Sequence, residues 1–178
     1  EQIDSVLPPK GAQVPLLDVT SIESTLEFGL KWQSAGNSHV EVLLRSDNAV
    51  EAIRALVAET KLIVAAGTIL DVDQLDEVVD AGAHLAVSPG FTTAVLGRAR
   101  DLGITLVPGV HSPSEIQLAR SHGLRLLKFF PASLGGLQFL SEIRPVFPDV
   151  EFIPSGGVRK ENFSDFLALE NVRAVGGR

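Results

Sequence analysis

The feature that most constrains this 178-residue chain is a regular alternation of two kinds of segment. A short apolar run ends in Gly, Ser, Pro or Thr, and a stretch with apolar residues at helical spacing follows it. This order predicts successive βα units and therefore a parallel sheet. Eight strands are expected, over Gln13–Val19, His39–Leu44, Leu62–Ala66, His84–Ser88, Ile104–Pro108, Arg125–Phe130, Glu151–Ser155 and Val172–Gly176.

Amphipathic helices are expected between these strands. Asp71 and Ser112 stand where N-caps are favoured, and Gly103 stands where a helix should end. The helical segments are Ser21–Ser34, Asn48–Glu59, Val72–Ala81, Thr92–Leu102, Ser114–His122, Gln138–Val146 and Lys160–Ala168.

Eight evenly spaced strands joined by right-handed crossovers predict an α/β fold, a closed (β/α)8 TIM barrel, in one domain over residues 1–178. An open doubly wound sheet is the alternative, but no GxGxxG pattern follows the first strand. A short helix over Glu1–Leu7 is expected to close the bottom of the barrel. The sequence ends at Arg178, just after the eighth strand, so we expect the protein to continue into the missing last helix.

Composition excludes several classes of function. A net charge of -7 argues against a general nucleic-acid or acidic-membrane surface, although a locally positive pocket can still bind a small anion. The absence of cysteine excludes a thiolate nucleophile and a cysteine zinc site, and it fits a cytoplasmic protein. No apolar run is long enough to span a bilayer.

Lys128 is the most informative single residue, because it stands inside the apolar segment Leu126-Leu127-Lys128-Phe129-Phe130. In this fold the active site lies at the carboxyl ends of the strands. A lysine in an apolar strand is costly unless its amine reaches water or reacts. Burial favours the neutral amine that attacks a carbonyl. The segment alone leaves both interpretations open.

Glu41 and Arg45 share one face of the second strand by alternation. If that face lines the barrel, Arg45 could bind a substrate carboxylate and Glu41 could transfer protons. A structural ion pair is the alternative. At the end of the third strand, Thr68 is either a substrate donor or a helix cap.

Two glycine pairs end the seventh and eighth strands, where this fold usually binds phosphate. Gly156-Gly157 and Gly176-Gly177 would let backbone N–H groups approach an oxyanion. Ordinary turns also use glycine. The four histidines show no metal-ligand spacing, so no metal site is expected, and His111 near the top is given no role.

These motifs together resemble the 2-keto-3-deoxy-6-phosphogluconate and 4-hydroxy-2-oxoglutarate aldolase family. The resemblance covers residues from about Val14 to the end. It rests on Glu-Val-Leu-Leu-Arg (41–45), Ala-Gly-Thr (66–68), Ser-Pro-Gly (88–90), Pro-Gly-Val (108–110), Lys-Phe-Phe-Pro-Ala (128–132), Pro-Ser-Gly-Gly (154–157) and Val-Gly-Gly (175–177).

The resemblance implies a role for each matched residue. Lys128 would form the Schiff base and Glu41 would be the general acid/base. Arg45 and Thr68 would hold the pyruvyl carboxylate. The remaining assignments are Phe130 and Pro108 as pocket walls, Ser155 at the substrate hydroxyls, and Gly156, Gly157, Gly176 and Gly177 as the phosphate cradle.

The resemblance also implies aldol cleavage to pyruvate and glyceraldehyde 3-phosphate without a metal or other cofactor, by a cytoplasmic homotrimer. Two residues depart from the family pattern: Arg178 replaces a common serine, and Asp18 stands where some relatives have a basic residue. A carboxylate pointing inward there would repel an anionic substrate. An aldolase for an unphosphorylated 2-keto acid, a non-catalytic sugar-phosphate barrel and an epimerase-type barrel are the alternatives.

Overall fold

The computed structural model describes residues 5–178. The first four residues of the helix expected over Glu1–Leu7 lie outside this part. Among the described residues, the strands are β1 Ala12–Asp18, β2 His39–Leu43, β3 Ile63–Gly67, β4 Leu85–Ser88, β5 Thr105–Val110, β6 Leu126–Phe129, β7 Glu151–Pro154 and β8 Ala174–Gly177. The helices between them are α1 Ile22–Ser34, α2 Ala49–Glu59, α3 Val72–Asp80, α4 Thr93–Leu102, α5 Pro113–Ser121, α6 Gly136–Ile143 and α7 Phe163–Leu167.

The eight strands form one parallel sheet that closes on itself. Their order is β7-β6-β5-β4-β3-β2-β1-β8, and two isolated parallel bridges, Phe152 to Val172 and Ser155 to Gly176, join the two ends of this order. The predicted (β/α)8 barrel is therefore confirmed. Because all strands run in one direction, their carboxyl ends meet at a single rim.

Local capping explains where several helices begin and end. The side chains of Ser21, Asp71 and Ser112 each accept a backbone N–H at the first turn of α1, α3 and α5. Gly103 ends α4 in the left-handed conformation, with φ at 71°. Each of these ends lies within two residues of its predicted position.

Helix α7 is shorter than predicted, because it begins at Phe163 rather than at Lys160. The side chain of Asn162 accepts the Arg159 N–H at 2.8 Å and donates to the Gly157 carbonyl at 3.1 Å. Residues 157–162 are therefore folded into a loop instead of a first helical turn. This loop fixes the backbone that follows β7 at the rim.

Strand alternation divides the apolar residues into two layers. Residues such as Val40, Val42 and Val64 face outward and are fully buried beneath the helices. Ala65, Leu85, Val87 and Val107 face inward and pack together inside the barrel. The charged groups at the rim therefore stand above a packed apolar layer and not above an open pore. None of the helices in residues 5–178 is long and apolar enough to cross a membrane.

Candidate active site

Lys128 lies on β6 with its side chain in the barrel, where the residue is only 7% exposed. Its Nζ stands 4.9 Å from the centre of the Phe130 ring, which covers the amine from one side. A lysine extending into bulk water would be far more exposed. The side chain of Lys128 is therefore largely enclosed, which favours the reactive interpretation over that of a solvent-seeking strand-end lysine.

Glu41 lies on β2 and is 6% exposed. Its Oε1 is buried and has no hydrogen-bond donor within residues 5–178. Burial raises the pKa of this carboxyl, and the nearby charges of Lys128 and Arg45 only partly oppose the effect. A carboxyl with a raised pKa keeps its proton closer to neutral pH and can both donate and accept during a reaction.

Gly67, the last residue of β3, leaves the space that the Glu41 side chain fills. A Cβ at this position would lie 2.8 Å from Glu41 Cδ and would overlap the carboxyl oxygen. The Ala-Gly-Thr motif therefore has a steric reason. Any side chain at its central position would displace the carboxyl.

Two cavities share Lys128, Ser155 and Gly176 in their walls. A small cavity of about 20 Å³ lies inside the barrel, with Glu41 and His39 on its wall. A larger one of about 390 Å³ opens at the rim. The rim cavity is lined by Leu16, Leu43, Arg45, Thr68, Pro89, Lys128, Phe130, Ser155, Gly156, Gly157, Val158, Arg159, Gly176, Gly177 and Arg178. The amine of Lys128 can therefore be reached from the rim while Glu41 stays enclosed.

Arg45 does not enter the barrel with Glu41. Strand β2 ends at Leu43, so alternation no longer governs Arg45, whose side chain is 50% exposed at the rim. Its Nε lies 3.0 Å from Asp18 Oδ1, and Asp18 also pairs with Arg178. Two guanidinium groups neutralise this carboxylate, so the repulsion of an anionic substrate expected at Asp18 is removed.

Thr68 lines the rim cavity in a strained backbone conformation, with φ at 63°. A β-branched residue in this region costs about 1–3 kcal/mol. The alternative of a helix cap is wrong, because Asp71 caps α3. Strain of this kind is tolerated where it orients a side chain for function.

The two glycine pairs also line the rim cavity. Gly156 and Gly157 have φ of 85° and 77°, which only glycine adopts easily. A Cβ on Gly177 would lie 2.7 Å from the Val158 carbonyl oxygen. The backbone at these strand ends is therefore exposed to the cavity without side chains.

Comparison with known proteins agrees with this geometry. The sequence model of the KDPG and KHG aldolase family matches residues 4–178. The KHG/KDPG aldolase of Escherichia coli K12 is 41% identical over 169 residues, which are 94% of this chain and 79% of that protein. The chain belongs to the KDPG and KHG aldolase family.

Solved structures of family members superpose closely. The KDPG aldolase of Legionella pneumophila, with pyruvate captured as a covalent carbinolamine intermediate, is 35% identical with a TM-score of 0.92. It covers 97% of this chain, and this chain covers 84% of it. The Zymomonas mobilis enzyme with 3-phosphoglycerate is 33% identical with a TM-score of 0.92, at 98% and 84% coverage. As a family member, this chain is a class I aldolase and therefore a carbon–carbon lyase.

Within this aldolase, Pro108 does not line the cavity, contrary to prediction. It lies on β5 beside Ser88 of β4, while its neighbours Val107 and Gly109 alternate to the other face. Pro89 lines the cavity in its place. The Ser-Pro-Gly motif could have identified Pro89 as a wall residue, because it stands at the end of β4 and the carboxyl ends of the strands carry the active site in this fold.

Arg159 is a second lining residue that the sequence analysis missed. It follows Gly156-Gly157 by two positions and lines the rim cavity. The signal was present, since a cation just beyond a glycine pair is a common feature of anion sites.

The histidines near the bottom of the barrel contribute to structure. The Nδ1 atom of His84 accepts the Val64 N–H at 3.0 Å, and the His39 ring contacts the Val6 carbonyl at 2.9 Å. Burial lowers the pKa of His39, with smaller effects from its neighbours. No group of three metal-ligand side chains occurs in the described part of the chain.

Proposed function

We propose that this aldolase cleaves 2-dehydro-3-deoxy-6-phosphogluconate to pyruvate and glyceraldehyde 3-phosphate, with Lys128 as the Schiff-base lysine. The observation that carries the proposal is the pairing of Lys128 with Glu41. Both are ionisable, both are buried, and both line one small cavity inside the barrel, while Lys128 also lines the rim cavity at the carboxyl ends of the strands. Keeping two such groups out of water costs free energy, so their retention calls for a function.

Lys128 begins the reaction by adding its neutral amine to the C2 carbonyl of the substrate. Loss of water from the carbinolamine leaves a protonated imine. When the C3–C4 bond breaks, its electron pair moves toward the imine nitrogen and forms an enamine. Protonation of C3 and hydrolysis of the imine then release pyruvate and restore the amine.

Glu41 moves the protons in these steps. Its carboxylate accepts the proton of the C4 hydroxyl as the C3–C4 bond breaks, and its carboxylic acid protonates the hydroxyl that leaves the carbinolamine. The raised pKa supports both roles, because the group is then poised between its two forms nearer neutral pH.

The rim cavity supplies groups for the rest of the substrate. Arg45 and Thr68 bind the pyruvyl carboxylate, and Phe130 packs beside the imine. Ser155 binds substrate hydroxyls, and Gly156, Gly157, Gly176 and Gly177 receive the phosphate through backbone N–H groups. We assign the wall position first expected of Pro108 to Pro89.

Cleavage of 4-hydroxy-2-oxoglutarate to pyruvate and glyoxylate is the second candidate. Arg178 favours it, because a guanidinium at the cavity mouth can bind a carboxylate as readily as a phosphate. The similar Escherichia coli protein carries both activities in its name.

Steady-state kinetics with the two substrates tests the proposal, with pyruvate as the common product measured. The expected result is cleavage of both, with the higher kcat/KM for the phosphorylated acid. A higher value for 4-hydroxy-2-oxoglutarate would make the second candidate the main activity. Binding of sugar phosphate without cleavage of either acid would contradict both.

We also propose that the enzyme acts in the cytoplasm as a homotrimer. Both statements rest on the family resemblance, and the absence of cysteine supports the first. Sedimentation equilibrium tests the second: a mass of three chains is expected, and a monomer would contradict it.

A further inference from the structure

We propose that His111 is a positioning residue for the Schiff-base lysine, acting through the segment that carries Phe130. The inference rests on the proposed function of Lys128. His111 follows β5, lies beside the active site and does not line the rim cavity. Its effect on the reaction therefore has to pass through the residues that it contacts.

The first contact is a hydrogen bond to the Pro131 carbonyl. His111 Nε2 lies 3.2 Å from this oxygen. Because a carbonyl oxygen can only accept, Nε2 is the nitrogen that carries the proton. Pro131 has no backbone N–H, so this carbonyl is the one backbone group through which the residue can be anchored.

The second contact fixes the imidazole itself. The ring stacks on Phe129, with ring centres 4.7 Å apart and planes inclined by 20°, and Phe139 lies parallel at 6.2 Å. Phe129 is fully buried next to Lys128 on β6. The His111 backbone N–H also donates to Glu115 Oε2 at 3.3 Å. The ring stack and the backbone hydrogen bond together therefore restrain the imidazole that carries the donor atom.

The segment that His111 anchors is residues 130–133, and its other three residues each donate a backbone hydrogen bond. The Phe130 N–H donates to Val110, the Ala132 N–H to Ser155, and the Ser133 N–H to Gly156, at 2.8–3.2 Å. At Pro131 the carbonyl accepts the Leu134 N–H from within the following turn at 3.3 Å, and His111 supplies the bond that joins Pro131 to the end of β5. The His111 bond and the three N–H bonds together tie the segment to β5 and to the β7 end.

Phe130 is the residue whose position matters for the reaction. Its ring stands 4.9 Å from Lys128 Nζ and rests on Gly156, where a Cβ would lie 3.0 Å from the ring. Because Phe130 is itself partly exposed at the rim, packing alone does not fix it. If Pro131 moved, the ring would move from the amine and admit water. A displacement of about 1 Å at a reacting centre lowers the reaction rate although the chemical groups remain intact.

Two substitutions separate the hydrogen bond from the ring stack. H111F keeps an aromatic ring on Phe129 but cannot donate to Pro131. H111Q loses the ring but places an amide N–H close to the position of Nε2. The measurements are kcat and KM for cleavage, the rate of α-proton exchange of pyruvate, and Tm for each variant.

We expect H111F to lower kcat and the exchange rate about three- to tenfold, the effect of one lost hydrogen bond, with little change in KM. H111Q should restore most of the rate even if its Tm falls, because the donor is retained. A merely structural histidine would give the opposite order, with H111F near wild type and H111Q impaired in proportion to its Tm. That order, or equal losses in both variants, would overturn the proposal.

Amide hydrogen exchange separates this inference from the proposed function. The Ala132 and Ser133 amides should exchange faster in H111F than in wild type and H111Q, whether or not the enzyme turns over. If wild type exchanges no pyruvate proton, the proposed function fails. If wild type is active and H111F leaves both the rate and amide exchange unchanged, only the role of His111 fails.

Discussion

Two carboxyl groups stand near the same rim in opposite circumstances. Glu41 is buried on β2, and its Oε1 has no donor within residues 5–178. Asp18 ends the neighbouring strand β1 at the surface, where Arg45 and Arg178 both pair with it. The enclosed carboxyl has a raised pKa and can exchange a proton, whereas the paired one is engaged with two guanidinium groups.

We propose from this difference that burial, and not residue type, separates reacting from supporting groups here. Lys128 belongs with Glu41 in the interior, and Arg45 belongs with Asp18 at the rim. Changes to the interior pair should therefore alter the reaction strongly, while changes at the rim should alter it mildly and with a dependence on salt.

Replacing Lys128 by Met should have the largest effect. The variant cannot form an imine, so kcat/KM should fall by about 10⁴-fold or more. The free energy of unfolding should be unchanged or higher, because a buried amine is exchanged for an apolar side chain of similar length. Lys61→Met, an exposed lysine before β3 at the other end of the barrel, is the matched control and should keep full activity. Residual activity above one tenth in Lys128→Met would contradict the assignment.

Replacing Glu41 by Gln should lower kcat by about 10²–10⁴-fold, as expected for loss of a general acid/base. Glu59→Gln, an exposed acid at the end of α2, should have no effect. Equal activity of the two variants would place Glu41 outside the reaction.

The same substitution tests the raised pKa through stability. The folded-state pKa of Glu41 lies above its ordinary value of 4.5, so protonated Glu41 favours folding. This contribution to the unfolding free energy is complete below about pH 4.5, and it is lost as the pH rises through the raised folded-state pKa. The unfolding free energy of wild type should therefore fall relative to Glu41→Gln over that interval, by at most about 1.4 kcal/mol per pH unit. The unfolding free energies of both proteins are measured by urea denaturation across pH. Profiles of wild type and Glu41→Gln that run parallel would contradict a raised pKa of Glu41.

Replacing Gly67 by Ala should have an intermediate effect. The new Cβ overlaps the Glu41 carboxyl, so we expect kcat to fall about tenfold or more through displacement of the proton-transfer group. Gly97→Ala in α4 is the matched control, since a Cβ there meets nothing within 4 Å and should stabilise the helix by up to about 1 kcal/mol. Identical kinetics for Gly67→Ala and wild type would show that Glu41 need not occupy its present position.

Replacing Asp18 by Asn should have the smallest effect. An exposed ion pair contributes less than about 1 kcal/mol, so the unfolding free energy should barely change. Removing the negative charge frees Arg45 and Arg178 for the substrate, so KM should fall modestly, and the change should shrink in high salt. A large loss of kcat would instead place Asp18 with the interior pair.

Much of this account could be predicted from the sequence because parallel strands give strong local signals. The eight apolar segments predicted the barrel, and the lysine inside one of them indicated a candidate site. Alternation predicted which face of β2 carries Glu41, and the structure shows that this face lines the interior.

The sequence failed where regular structure ends. Arg45 was predicted to share the face of Glu41, but β2 stops two residues earlier and the chain turns to the surface. Pro108 is a different case, because it lies within regular β5, where alternation turns it away from the wall that the family resemblance implied. His111 showed no motif, because its contacts with Phe129 and Pro131 join segments about 20 residues away in the chain. Such contacts depend on tertiary packing and leave no local pattern.

Borohydride reduction with pyruvate, followed by peptide mass mapping, tests the central claim most directly. The account predicts one reduced pyruvyl adduct, on Lys128, and none on that peptide in Lys128→Met. An adduct on another lysine, or no adduct from folded protein, would contradict the assignment of Lys128 as the Schiff-base lysine.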